Sequence, residues 1–136
     1  MPDSAARFAR LLRSMAGQER ALQGEVERSL LACRQVEGEL QAAHARRPPA
    51  GAGTAAALCH RDRYAALVER QCQELQQALR EARGRAATDR LRWRRAAQTR
   101  RTLERLIGRL ADGQRRRQQR QEQALTDEHA QCHAPE

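Results

Sequence analysis

The sequence predicts an all-α fold: a two-helix antiparallel coiled-coil hairpin with a longer second helix. Three observations lead there. Ala, Glu, Leu and Arg supply 79 of the 136 residues, a composition of long helices. Apolar residues recur at alternating steps of four and three through two long stretches, the spacing that keeps one helix stripe against a partner. Between those stretches lies one strongly helix-breaking segment, Arg46-Arg47-Pro48-Pro49-Ala50-Gly51-Ala52-Gly53-Thr54.

The first helix is expected at 4–45, with Asp3 or Ser4 as its cap. Its stripe runs Phe8, Leu12, Met15, Glu19, Leu22, Val26, Ser29, Cys33, Val36, Leu40 and Ala43, with only Glu19 and Ser29 polar. The loop, 46–54, comes from its residue types. Proline is excluded from a helix interior and drives the residue before it off helical geometry, and Gly51 and Gly53 loosen the backbone beyond the prolines. Thr54 then caps the second helix, expected at 55–130. That helix carries Leu58, Arg61, Ala65, Val68, Cys72, Leu75, Leu79, Ala82, Ala86, Asp89, Trp93, Ala96, Arg100, Leu103, Ile107 and Leu110 on one stripe. A frayed tail is expected at 131–136, marked by Pro135, so that the whole of 1–136 forms a single hairpin.

A turn centred near residue 51 places residues i and j opposite each other when their numbers total about 102. On that register Cys33 and Cys72 meet as small packed groups, and the first helix runs out opposite residue 98 or so. At about 1.5 Å per residue the helices are roughly 60 and 110 Å long, so about 30 residues of the second project beyond the pair.

The stripe answers a problem set by the composition. Of the apolar residues 26 are Ala, and Leu, Ile, Val and Phe together number 20, too few for the thick core of a globule of this length. Two helices need only a seam. The charge is equally uneven. All 26 basic residues are arginine, against 17 acids, for a net +9. Residues 1–45 are neutral, 46–82 carry +2, 83–120 carry +11 and 121–136 carry −4. The excess thus lies on the second half of the second helix, with an acidic tip after it.

Several function classes are disfavoured. No apolar run approaches the roughly 20 residues of a membrane-spanning helix, and the first residues lack a signal-peptide apolar block, so a cytoplasmic chain without membrane insertion is expected. Cys33, Cys59, Cys72 and Cys132 are irregularly spaced and read as reduced thiols. Phosphate-loop, dinucleotide and HExxH motifs are absent, and a hairpin offers no deep pocket, so no enzyme, catalytic residue or cofactor is expected. His129, Cys132 and His133 have helical spacing, with Cys59-His60 far away. Four converging ligands are wanted for structural zinc, and these residues are read as incidental, with no metal.

The arginine stretch admits three readings. It can be a solvated face, a nucleic-acid-binding helix, or a basic rod entering an acidic protein cavity. Against nucleic acid, there is no helix-turn-helix, and Trp93 is the stretch's single stacking residue. Asp89 and Arg100 lie in the seam near where pairing is expected to end, which suits a face released for another protein.

Leu91-Arg92-Trp93-Arg94-Arg95, Leu103-Glu104-Arg105-Leu106 and Leu125-Thr126-Asp127-Glu128-His129-Ala130, on a hairpin with a longer second helix, resemble the flagellar export stalk family FliJ and its injectisome counterparts of the YscO type. The Pro/Gly-rich loop and lysine-free composition look closest to the injectisome branch. The resemblance implies a non-enzymatic type III secretion component: a central stalk that docks in and regulates the hexameric secretion ATPase, contacts the membrane export gate and can bind export chaperones. It implies a place in the cytoplasm, peripheral to the inner-membrane export apparatus. A basic face suits electrostatic steering into an acidic pore. Arg94, Arg95, Arg101, Arg105, Arg109 and Arg116 are the expected partner-binding residues. A generic coiled-coil adaptor or chaperone stands as the alternative, and a basic nucleic-acid-binding helix pair as a further one.

Overall fold

The computed structural model describes residues 2–134, so Pro135 and Glu136 of the expected tail lie outside the described residues. Two helices, α1 (Pro2–Ala45) and α2 (Ala55–Cys132), form an all-α hairpin, and no strand occurs among the described residues. Proline suits a first helical turn, where its missing N–H would have had no partner, and Asp3 in that turn faces the positive end of the helix dipole. α1 closes with two tightened turns: Arg46 N–H donates to Ala43 O at 3.1 Å and Arg47 N–H to His44 O at 3.2 Å. Pro48 stops it there. α2 opens as its sequence predicts, with Ala57 N–H donating to Thr54 Oγ1 at 3.3 Å.

Packing divides the chain into two units, 18–95 and 1–17 with 96–136. The first is the hairpin proper. Its core is thin and made of small groups: Cys33 packs with Ala82 and Ala86, and Ala43 with Val68 and Cys72. Val26 and Leu79 are also buried. Every one of the 27 stripe positions is at least partly covered except Leu58 and Leu110, at the two ends of the α2 stripe. The polar stripe members each find a local solution. The Ser29 hydroxyl donates to Asp89 Oδ2 across the seam. Arg61 donates to Gly51 O at 2.6 Å, tying the loop to α2.

The register differs from expectation. Residue numbers of cross-helix partners total 116 for His44 with Cys72 and for Arg47 with Glu69, 118 for Ser29 with Asp89, and 120 for Glu37 with Arg83. The expected total was about 102. Cys33 and Cys72 therefore sit in separate clusters rather than facing each other. The cause lies in the loop. Extended chain advances about 3.1 Å per residue and helix about 1.5 Å. The seven residues 48–54 thus run beside about 14 residues of α2, since Arg47 reaches Glu69, whereas a total of 102 would set Arg47 opposite Ala55, the first residue of α2. α2 accordingly starts well past the end of α1, and the loop lies along its first turns.

In the second unit the covered residues are Phe8, Leu12, Met15 and Ala16 from α1, and Ala96, Ala97, Arg100, Leu103, Ile107 and Gly113 from α2. Coverage reaches Gly113, not the expected residue 98. From Gln114 to Ala134 every residue is exposed. Asp89 and Arg100 do not mark the end of pairing: Asp89 is hydrogen-bonded within the hairpin, and Arg100 is partly covered with its guanidinium 2.6 Å from Glu104.

Candidate partner-binding surface

The six expected arginines are all exposed. Arg101, Arg105, Arg109 and Arg116 fall in one unit, on one helix, separated by four, four and seven residues. At 100° per residue these spacings keep all four within an arc of about 80°, opposite the stripe that carries Leu103 and Ile107. Arg94 and Arg95 close the other unit and point about 100° apart, so Arg95 stands off the direction of Arg94.

What makes this face basic is where its acids go. Three acids accompany the fourteen arginines of 83–120. Asp89 accepts from Ser29, Glu104 is paired with Arg100 at 2.6 Å, and Asp112 with Arg115 at 2.5 Å. Among the described residues Arg101, Arg105, Arg109 and Arg116 have no ion pair. Arg101 with Arg105, and Arg105 with Arg109, are like charges at i,i+4, each pair costing about 0.2–0.5 kcal/mol of helix stability. An anionic surface laid on this face relieves that repulsion, while an apolar one does not.

Beside the arginines lies a shallow, mostly apolar depression of about 360 Å³ lined by Gln98, Thr99, Thr102, Leu103 and Leu106. Leu106 and Leu110 are each half exposed at 51%. The arginine row is therefore flanked, on the side that turns toward the stripe, by the exposed Leu106. Such a mixture of apolar anchor and charged rim is how protein interfaces are built.

Three features escape a reading of the sequence. Trp93, the stretch's single stacking residue, is partly covered, and its Nε1–H is buried with no acceptor among the described residues. It belongs to the hairpin unit, 18–95. Ser29 and Asp89 form a polar layer in an otherwise small apolar seam, beside an open groove of about 750 Å³ that Arg85 and Arg92 also line. His44 Nδ1 lies 3.7 Å from the buried Cys72 thiol. Each stems from the register, and the true register could be had from the sequence only by treating the loop as extended chain.

No group of three or more potential metal ligands occurs among the described residues, and no described helix is long and apolar enough to cross a membrane. No curated protein and no solved structure matches the chain. Residues 4–134 match the family described as flagellar FliJ protein, across both helices and the loop. With nearly the whole chain matched, and with a helical hairpin of the expected asymmetry, the chain belongs to the FliJ family of flagellar and type III export stalk proteins, a non-catalytic family of the export apparatus.

Proposed function

We infer that the chain acts as the central stalk of a type III export apparatus, docking in the hexameric secretion ATPase through the arginine face of α2. The observation that carries this reading is the row Arg101, Arg105, Arg109 and Arg116, exposed, on one side of the helix and without an ion pair among the described residues. A helix with no catalytic groups acts on a ring enzyme by contacting some subunit conformations better than others, since only differential contact shifts a conformational equilibrium. Arg94 and Arg95, on the same helix, are proposed as further partner-binding residues. The export-gate membrane protein and export chaperones are further partners, and the chain works in the cytoplasm beside the inner membrane. The proline-rich loop and the lysine-free composition favour the injectisome branch over the flagellar one.

The experiment is stimulation of the cognate ATPase by purified wild-type chain and by the variant R101E/R105E/R109E/R116E, with helicity checked by circular dichroism. Loss of at least tenfold in half-maximal stimulation at unchanged helicity is expected. Charge reversal is the informative change, because one exposed arginine contributes well under about 1 kcal/mol. Equal stimulation by both proteins removes the face from the mechanism. Retention on nucleic acid with a steep salt dependence, lost in the same variant, would instead support a nucleic-acid-binding helix pair.

A further inference from the structure

α2 runs in helical geometry to Cys132, and His133 N–H still donates to His129 O at 3.2 Å. The sequence alone suggests that these residues fray. Instead His129 lies inside α2 and His133, just past its end, closes the last helical hydrogen bond, and the two imidazole rings lie 6.2 Å apart, centroid to centroid, at 72°. Both side chains are exposed. We propose that His129 and His133 form a two-imidazole site for a divalent transition-metal ion, of the zinc, nickel or copper type, at the end of α2.

The chemistry rests on spacing and geometry. Two histidines at i,i+4 on one helix face are the chelating half of the HExxH metal motif, because one turn of helix brings their ring nitrogens to a single point. Imidazole is the preferred ligand of zinc, nickel and copper and a poor one for magnesium or calcium. An ion about 2.1 Å from one nitrogen of each ring, in tetrahedral geometry, sets the centroids about 5 Å apart. The observed 6.2 Å is about 1 Å wider, a gap closed by small side-chain rotations that an exposed turn allows. No third ligand joins the two rings among the described residues, so the ion's remaining positions go to water and the site is open rather than structural. The bound ion bridges the same two residues as the terminal backbone hydrogen bond and so clamps the helix end. The acidic tip beside it, Asp127 and Glu128, adds an attractive field for a dication.

The test is calorimetric titration of the full chain with zinc chloride and, separately, nickel chloride near neutral pH. One ion per chain is expected. H129A and H133A should each weaken binding at least tenfold, since either leaves a single imidazole. H60A and C132S should leave it unchanged. These side chains are all exposed, so the variants keep the fold, and amide exchange at 130–133 should slow on zinc addition in the wild type alone. Wild-type affinity no better than that of H129A/H133A overturns the site, and loss of binding in C132S overturns its assignment to two imidazoles.

Discussion

Leu79 and Leu67 offer the sharpest test of the hairpin, because they are the same residue on the same helix with opposite surroundings. Leu79 is 7% exposed and Leu67 62%. The register sets Leu79 level with the Val36–Leu40 stretch of α1, whereas Leu67 points away from the seam. Truncation to alanine removes three carbons, at about 0.8 kcal/mol for each that is fully buried. L79A therefore costs about 2.4 kcal/mol. A two-helix seam can close on the gap or admit water, so no large cavity penalty is added. Scaled by its residual coverage, L67A costs below about 1 kcal/mol. The small gain in helix propensity from Leu to Ala is common to both and cancels. For a unit of this size about 2.4 kcal/mol corresponds to a fall in Tm of about 10–20 °C, a large share of the total stability of an ordinary domain. Thermal and urea melts monitored at the helix band measure both variants. Melts within two or three degrees of each other would falsify the claim that the α1–α2 seam is the core of the protein.

Further expectations come from the packing and the register. Gly38 and Gly84 are exposed, lie inside helices and have open space where a Cβ would stand, so G38A and G84A should each raise stability by about 0.5–1 kcal/mol, read from the same melts. A result of the opposite sign at both sites would contradict their placement on the outer faces. Overfilling the tight cluster around Cys33 by A86L should cost about 1–3 kcal/mol despite the added apolar area, and a stabilised A86L would mean that the helices lie further apart than described. Mild oxidation should cross-link Cys33 to a cysteine introduced at 82 or 86, detected as a mobility shift on non-reducing gels. The wild-type chain should form no Cys33–Cys72 bond, because the register separates them by about 12 residues along the seam, some 18 Å.

Much of the fold was legible in the amino-acid order. The stripe from Phe8 to Ala43 and from Leu58 to Leu110 could be named residue by residue, because heptad spacing is a local property of each helix and coverage tracks it. The loop and the Thr54 cap were legible for the same reason: proline, glycine and threonine act on their own backbone. The candidate surface was only half legible. Arginine positions on the outer face are set by spacing, but their freedom from ion pairs is not. That depends on Glu104 turning to Arg100 and Asp112 to Arg115, rather than to Arg101, Arg105, Arg109 or Arg116.

The sequence by itself determined two helices, one seam, one basic half-helix and the family to which they belong. Tertiary structure alone decided how the helices slide against each other. The heptad repeat is satisfied by any shift of seven residues, so periodicity carries no absolute register. The extended loop supplies it, along with three cross-helix polar links: Ser29 to Asp89, Glu37 to Arg83 and Arg47 to Glu69. That shift of about 15 in the pairing total separates Cys33 from Cys72, gives Asp89 a partner, and moves the end of coverage to Gly113. The arginines of 101–109 thus lie on the outer face of a packed unit, where partly covered residues such as Leu103 and Ile107 hold them in line, and not on a lone projecting helix.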